Sequence, residues 1–453
     1  MGNYESLAIL LFIALIVYLL DRKNFTREGI VLLRRTKKGL EIIDCAAKKH
    51  PRMITFLADA GIVFSFGLTG LRYLFIQKNI QGLKRTRHYA TYLLTFTLFT
   101  YIIYPVFFYG LIDAFKIPAA FSSPVIFILI ASTFLFGVSG YGFMTLFFGA
   151  FSIAISTATG TEVESSIKLV LPIDMPKDST IPVFYVPITE WLISILFILI
   201  VHEFSHAIVA RVEGIKVKSL GYGFFGPLPL GFAEPDEEEI KKSSSLTKTR
   251  IFGAGSFSNI LAAVILLILY IPAMTLGISS GAITFHDNGI IITSTDVGMP
   301  AGTLPNTTIG SQLTSVDGTN ITNLSEFVSI MGTKNIGDNV TLLIDSNEYE
   351  LTLVEDPKNK TRGIIGIKVE QDREMTHGAF ISSLITWIIL LNIGIALANL
   401  FPLRPLDGGL MLEEILIGAN IKQRKKTAEA ISKTTLFLLL FSLIMPWLIS
   451  LFA

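Results

Sequence analysis

The chain has 453 residues, of which 51% are hydrophobic and 16% charged, and its formal net charge at pH 7 is +1. Ordinary soluble domains carry about 25% charged residues, so this composition excludes a soluble globular protein and indicates an integral membrane protein. The single cysteine, Cys45, excludes an internal disulfide. We expect the lipid bilayer as a partner and no nucleic acid.

Apolar segments long enough to cross a bilayer, or nearly so, recur along the chain. They lie near residues 5–20, 54–76, 90–112, 122–141, 143–159, 186–210, 251–276, 379–402 and 434–452. Asp59 and several glycines interrupt segment 54–76, which could instead be a re-entrant or surface helix. The pair at 122–159 could form a tight helical hairpin. We predict a polytopic α-helical membrane protein in which residues 1–165 are a multi-span region of unknown role.

Lysine and arginine gather in three segments between these spans, at residues 21–52, 211–250 and 422–433. The positive-inside rule places all three segments in the cytoplasm. Helix 186–210 then runs inward, 251–276 outward and 379–402 inward again. The basic residues 78–88 fit this topology only if segment 54–76 does not cross, so the topology of the N-terminal part stays open. We expect a multi-pass protein of the cell membrane.

An H-E-x-x-H pattern, His202-Glu203-Phe204-Ser205-His206, closes the apolar run 186–210. In a helix, residues four apart share one face, and two imidazoles on one face can hold a zinc ion. Glu203 lies one step round the helix, where it can take a proton from a metal-bound water. A chance match is the alternative. Ionisable residues in a membrane-length helix favour the functional interpretation, because they are expensive to keep there.

Residues 277–376 contain no spanning segment and predict a small β-rich domain. Short apolar runs such as 340–344 and 349–353 are separated there by Gly, Asn, Asp and Pro. The topology places this domain outside the cell, which agrees with five N-x-[ST] sequons at Asn306, Asn320, Asn323, Asn339 and Asn359. The run VGMPAGT and the Asp-Gly hairpin after it resemble a PDZ domain.

A third zinc ligand is expected, because catalytic zinc usually has three protein ligands and a water. The candidate is Asp407, in the run NLFPLRPLDGG at the cytoplasmic end of helix 379–402, at the depth inferred for the two histidines. Prolines and glycines break the helix there, and the backbone groups freed in this way must be hydrogen-bonded by protein or water. The alternative is that Asp407 only caps a helix in the Gly-Gly turn.

Taken together, these motifs resemble the site-2 protease family of intramembrane zinc metalloproteases over roughly residues 170–452. The resemblance implies a protease core in two parts, 166–276 and 377–453, around the PDZ-like insert. It implies zinc bound by His202, His206 and Asp407, with Glu203 as the catalytic base. It also implies substrate contacts by Asn259 and Asn399, although a helix–helix hydrogen bond explains Asn259 equally well.

Two departures from the family pattern remove no ligand. Ser256 follows Gly255 where the family often has Pro, and Leu410 follows the Asp-Gly-Gly where it often has His. The family also folds the first part of residues 221–239 into a membrane-associated β-hairpin, whose edge could pair with an extended substrate. An ordinary cytoplasmic loop is the alternative.

The function that the resemblance implies is regulated intramembrane proteolysis. Single-span membrane proteins would be cut within their spans on the cytoplasmic side, and the extracytoplasmic PDZ-like domain would filter substrates. One alternative is a membrane-anchored zinc protease of soluble substrates, but such enzymes usually take a glutamate as third ligand. Another is a non-catalytic membrane binding or transport protein, which has no need of Glu203.

Overall fold

Long apolar helices make up most of this protein in the computed structural model. The structure describes residues 5–79, 82, 86–94, 96–97, 119–160, 165, 167–173, 183–296, 298–305, 308–356, 359–418, 421 and 423–450. The helices are α1 (Glu5–Leu20), α2 (Leu40–Lys49), α3 (Pro51–Lys78), α4 (Ala119–Thr159), α5 (Ile188–Val212), α6 (Glu237–Lys242), α7 (Ser245–Ser279), α8 (Leu324–Gly332), α9 (Ala379–Asn399), α10 (Asp407–Gly418) and α11 (Arg424–Ser450).

By length and composition, six helices within the described residues are long and apolar enough to cross a membrane, namely α3, α4, α5, α7, α9 and α11. In α3 and α4 this length is divided between two arms. The protein is therefore a multi-pass membrane protein, as its composition predicts. The shorter apolar helix α1 covers the first predicted span. The predicted span 90–112 lies mostly outside the described residues.

Two of these helices double back at a single glycine. Inside α3, Gly67 has φ 54° and ψ −135°, and a Cβ built at Gly70 would lie 2.5 Å from the carbonyl oxygen of Ile62. Eight residues of straight helix would separate those two positions by about 12 Å, so the chain reverses at Gly67. Gly137 has φ 64° and ψ −157°, and a Cβ at Gly140 would lie 2.9 Å from the carbonyl oxygen of Ser132. The turn of the hairpin expected at 122–159 is thus at Gly137.

The chain divides into two compact units, Met1–Leu269 with Ser383–Ala453, and Tyr270–Ser382. The first unit contains an antiparallel sheet of β1 (Phe25–Glu28), β2 (Val31–Thr36), β5 (Val217–Phe225) and β6 (Leu228–Pro235), in the order β1-β2-β5-β6. A separate parallel pair joins β3 (Leu169–Leu171) to β4 (Val183–Tyr185). The sequence predicts the β5–β6 hairpin through the family resemblance. It does not predict that the N-terminal hairpin β1–β2 extends the same sheet.

The far end of β6 is fixed by a helix cap. Asp236 follows the strand, and its side chain accepts hydrogen bonds from the backbone N–H groups of Glu239 and Glu238, at 3.1 and 3.0 Å. The Glu239 N–H, together with the Lys218 ammonium, holds the pKa of Asp236 below its usual value. A charged cap at this position begins α6 and ends the sheet.

The second unit is β-rich, as predicted for residues 277–376. Its main sheet has the order β11-β10-β8-β7-β14, from β7 (Thr284–Thr295), β8 (Gln312–Val316), β10 (Asn339–Ile344), β11 (Asn347–Thr352) and β14 (Ile367–His377), and β9 (Thr319–Asn320) pairs with β8. Between β11 and β14 in the chain, β12 (Val354–Asp356) and β13 (Asn359–Ile364) form a separate antiparallel pair. Helix α8 buries Phe327 and Met331 in a core with Leu342 and Ile290.

The predicted sequons belong to this unit, apart from Asn306, which lies outside the described residues. Asn323 caps α8, since its side chain accepts from the Glu326 N–H at 3.0 Å. Asn339 bonds the side chains of Thr352 and Glu350 on the neighbouring strand. Glycosylation of these asparagines stays a prediction.

Replacing Leu342 with Ala should lower the stability of the second unit by roughly 2–5 kcal/mol, because the fully buried side chain would leave a cavity. Hydrogen exchange of the β10 amides in the intact protein measures the change. Val328→Ala on the 52% exposed face of α8 is the control and should change the opening free energy by less than about 0.5 kcal/mol. Equal effects of the two substitutions would contradict this packing.

Candidate metal centre

Helix α5 presents the two predicted histidine ligands on one face, towards α7. His202 and His206 are one helical turn apart, and their Nε2 atoms approach to 3.1 Å. Both side chains are largely buried, with 11% and 15% of the imidazole surface exposed. Two imidazole nitrogens directed at the same point are an arrangement that a metal ion stabilises.

Asp407 completes the group from the other part of the first unit. Helix α9 ends at Asn399, a short loop follows, and Asp407 is the first residue of α10. Its Oδ2 lies 3.5 Å from Nε2 of His202, and its Oδ1 lies 3.6 Å from Nε2 of His206. The Ser256 hydroxyl donates to Oδ2 at 2.6 Å. The carboxylate therefore faces the imidazoles, and capping α10 is not its only role.

The spacing of these three groups suits zinc. One nitrogen from each histidine and one carboxylate oxygen lie within 4.8 Å of one another. In a tetrahedral zinc site with bonds of 2.0–2.2 Å, neighbouring ligand atoms are ~3.3 Å apart, which is close to the 3.1 Å between the two Nε2 atoms. Each ring also has one oxygen of the Asp407 carboxylate at a similar distance. Nitrogen and carboxylate donors are also ligands that zinc accepts. The residues present therefore fit a zinc ion, which His202, His206 and Asp407 would hold.

A backbone carbonyl fixes the ring of His206. Its Nδ1–H donates to the carbonyl oxygen of Ile251 on α7, at 2.6 Å. With the proton on Nδ1, the Nε2 lone pair points to the site, which is the tautomer that binds a metal.

Asn259 lies on α7, the helix that also carries Ile251, and it contacts His202 of α5. Its amide nitrogen lies 3.2 Å from Nδ1 of His202, and its Oδ1 has no hydrogen-bond partner among the described residues. Turning the amide by 180° would bring Oδ1 to Nδ1, where it accepts the N–H and frees Nε2 for the metal. The structure thus shows the helix–helix hydrogen bond that was the alternative for Asn259, and substrate binding by Asn259 stays a prediction.

Gly255 leaves room for the two rings. A Cβ built on it would lie 2.4 Å from Nε2 of His206 and 2.6 Å from Nε2 of His202. Any side chain here would fill the space in which the ligand atoms meet. Close approach of a backbone to a functional site is a use of glycine that no other residue allows.

Glu203 lies next to the ligand face of α5 and is held by the sheet. Its Oε2 accepts a hydrogen bond from the backbone N–H of Ala233 in β6, at 2.8 Å. It also lines a cavity of about 600 Å³ between α1, α5 and the β5–β6 hairpin. The lining is almost entirely apolar and includes Leu196, Leu199 and Phe232. The carboxylate thus lies where an apolar cavity meets the metal ligands.

The match to a family model decides the assignment. The model of peptidase family M50 matches residues 190–443, which is more than half of the chain and spans all the residues of this centre. The chain belongs to peptidase family M50. The family comprises membrane-embedded zinc metallopeptidases, so the resemblance to the site-2 proteases is confirmed.

One curated relative is the uncharacterized protein MJ0971 of Methanocaldococcus jannaschii, which is 28% identical over 258 residues. The match covers 54% of this M50 chain and 63% of the relative. The chain therefore spans less than two thirds of the curated relative that it matches.

A solved structure resembles part of the chain. It is the PDZ domain of an SdrC-like protein from Listeria monocytogenes, with 22% identity, 18% of this chain and 90% of that chain covered, and a TM-score of 0.17. A score this low supports no conclusion about the fold, so the PDZ-like character of residues 277–376 stays a prediction.

Asn399 is the remaining predicted site residue of this M50 peptidase. It is the last residue of α9, and its side chain is half-buried. Residues 400–406 form the loop that leads from it to Asp407. The contact of Asn399 with substrate stays a prediction. Sequence reasoning did not find the contacts made by Ser256, Ile251 and Ala233. Only the Ser256 in place of the usual Pro gave any sign of them.

Gly255→Ala should lower the zinc affinity of the M50 peptidase by roughly 100-fold, because the new methyl group displaces the imidazoles. Competition with a zinc chelator measures the affinity in detergent. Gly253→Ala is the matched control, since its Cβ would meet only the flexible end of Met411, at 2.8 Å. Wild-type affinity in Gly255→Ala would contradict the placement of zinc between the rings.

Proposed function

We propose that this M50 peptidase is an intramembrane endopeptidase that cuts single-span membrane proteins within their transmembrane segments. The observation that carries the proposal is the meeting of His202, His206 and Asp407 beside Glu203, at the end of an apolar helix. A non-catalytic scaffold has no need of a carboxylate placed next to the ligands.

The chemistry follows from the positions of the side chains. When bound, zinc supplies a Lewis acid that polarises the scissile carbonyl and makes the attacking water more acidic. Glu203 accepts a proton from that water as the water oxygen adds to the carbonyl carbon. Glu203 then passes the proton to the amide nitrogen as the C–N bond breaks. His202, His206 and Asp407 are the residues that would hold the metal.

The substrate must reach this centre in an extended form, since the peptide bonds of a helix are shielded by its own hydrogen bonds and side chains. β6 ends the sheet order, so its outer edge has no strand partner among the residues that the structure describes. The Ala233 N–H on that edge is taken by Glu203, and Pro229 and Pro235 have no N–H to offer. The edge can therefore pair with only a short stretch of substrate, whose position is fixed close to Glu203.

An apolar span fits the cavity beside this edge. Leucine and isoleucine side chains of α1 and α5 form one wall, and the β5–β6 hairpin forms the other. A cavity of about 600 Å³ is in the range that holds a few side chains of a peptide. Hydrophobic transmembrane residues thus suit it better than a charged soluble loop.

Sidedness and substrate choice belong to this proposal. The positive-inside pattern supports an active site towards the cytoplasm and a second unit outside the cell. There the PDZ-like unit would act as a filter, admitting substrates whose outer domain an earlier cut has removed. Regulated intramembrane proteolysis is the process that this order of events describes.

Glu203→Gln should keep zinc and lose cleavage by roughly 10²–10⁴-fold, because the amide cannot accept the proton of water. Asp407→Ala should lose both, because it removes a ligand. The measurement is cleavage of a panel of tagged single-span proteins co-expressed with each variant, with zinc determined on the purified chains. Glu237→Gln, on a side chain that is 83% exposed, is the control. Cleavage by Glu203→Gln at the wild-type rate would refute the proposed base.

The two asparagines should separate by their effects. Asn259→Ala should lower zinc affinity by roughly 10–100-fold, as the loss of a group that orients a histidine ligand does. Asn399→Ala should leave zinc affinity unchanged and raise the KM for cleavage if the residue binds substrate. Chelator competition and cleavage kinetics on the same preparations measure both values. A wild-type zinc affinity for Asn259→Ala would sink the role given to its contact with His202.

A further inference from the structure

The N-terminal helical hairpins carry a duplicated sequence. The pattern F-x-F-G-[LV]-[ST]-G occurs at residues 64–70 of α3 and again at residues 134–140 of α4. In both copies the central glycine, Gly67 or Gly137, is the residue at which the helix doubles back. The same local sequence therefore builds the same turn twice.

The two turns contact each other through their backbones. A Cβ built at Gly67 would lie 2.5 Å from the carbonyl oxygen of Phe134 and 2.7 Å from the nitrogen of Gly137. A Cβ at Gly137 would lie 2.5 Å from the nitrogen of Phe66. Each glycine thus allows the approach of the other turn, and the two hairpins are locked tip to tip.

The first hairpin holds α7 by buried charges. The Arg250 guanidinium of α7 donates from Nε to Asp59 of α3 and from an Nη to Glu213 at the end of α5, both at 2.8 Å. Arg250 is 9% exposed and Asp59 only 1%. Charges at such depth are expensive unless paired, so removing one partner would disturb the position of α7.

Further contacts of the first hairpin lie along the same helix. Phe257 of α7 packs on Gly61, where a Cβ would lie 3.0 Å away, and on the ring of Phe64. From the returning arm of α3, Tyr73 bonds the hydroxyl of Thr249. Both arms of α3 therefore grip α7.

These contacts flank the groups of α7 that orient the metal ligands. Arg250 precedes Ile251, the residue whose carbonyl fixes His206. Phe257 lies between Gly255, which makes room for the rings, and Asn259, which faces His202. A shift of α7 would move all of these groups together.

The second hairpin holds the other part of the site. Phe401, in the loop that leads to Asp407, packs directly on Gly142 in the returning arm of α4. A Cβ at Gly142 would lie 2.5 Å from the ring. The same arm packs through Leu146 against Leu438 of α11.

We propose that the two N-terminal hairpins form a brace that sets the distance between α7 and the Asp407 loop, and so the geometry of the metal centre. α3 holds the side of the two histidines, α4 holds the side of Asp407, and the locked glycine turns join the two. The brace gives α3 and α4 a positioning role in the M50 peptidase. The inference rests on the proposed function for its meaning, but its geometry can be tested without zinc.

The test measures the separation of α7 and α10 directly. Ser256→Cys and Asp407→Cys replace two groups now in contact at 2.6 Å, in a chain whose exposed Cys45 is changed to Ala. A short bifunctional thiol reagent then bridges the pair in metal-free protein. Adding Gly142→Ala should slow the bridging about tenfold, since it displaces Phe401 and the loop from their places. Asp59→Asn should slow it as well, from the other arm of the brace.

The matched control is Gly394→Ala in α9, where a Cβ would meet nothing within 4 Å. It should leave the bridging rate unchanged. In the chain with native Ser256 and Asp407, Gly142→Ala should also lower zinc affinity by roughly 10–100-fold. Adding Phe401→Leu, which makes room for the new methyl group, should restore most of that affinity.

Equal bridging in Gly142→Ala, Asp59→Asn and the control would overturn the brace. If Gly142→Ala gives no folded protein, Phe401→Leu alone, which loosens the same contact, is bridged instead, and an unchanged rate again overturns it. Failure of the wild-type chain to bind zinc would contradict the proposed function and leave the bridging comparison intact.

Discussion

Three ionisable side chains must share one small volume inside an apolar helical bundle, and the rest of the structure depends on this constraint. His202, His206 and Asp407 come from segments two hundred residues apart in sequence and meet within 4.8 Å. Ionisable groups lose their hydration when they are buried among apolar side chains, so each is held by a hydrogen-bonding partner of its own. Ile251 orients one ring and Ser256 binds the carboxylate, and both partners belong to α7. The helix that carries no ligand thus organises the centre.

The proposed hydrolysis within a membrane would add a second requirement, which is that an extended peptide and water reach the same point. The sheet would meet the first part of it, because β6 places an edge that is unpaired within the described part of the chain beside Glu203 and the apolar cavity. The Ala233 N–H holds the carboxylate on the side of α5 that faces this edge. Strands and long helices are stiffer supports than loops, so the proposed reacting groups would keep their positions as substrate entered.

Local sequence determined the class of the protein and pointed to the three side chains that meet in the candidate metal centre. Composition alone required a membrane protein, and the spacing of His202 and His206 placed both on one helix face, because the helical repeat depends only on neighbouring residues. The Gly-Gly after Asp407 marked a break in an apolar helix. A Cβ on Gly408 would lie 2.2 Å from the carbonyl oxygen of Leu400, so the tight turn requires glycine there. The β-rich second unit was equally visible, from its short alternating runs.

Tertiary structure alone decided what surrounds the ligands. Three features depend on segments far apart in sequence. They are the contact of Asn259 with His202, the space made by Gly255, and the pairing of the β1–β2 hairpin with β5. Asp59 looks like a defect in the span 54–76, although Lys78 pairs with it from the end of the same helix. Its second cation, Arg250, lies 191 positions away and is not visible from the local sequence. Helical and strand periodicity report which face of a segment is apolar and leave open which other segment covers it. The pairing of faces is settled only when the whole bundle packs, since the free energy of burial is shared among all its helices.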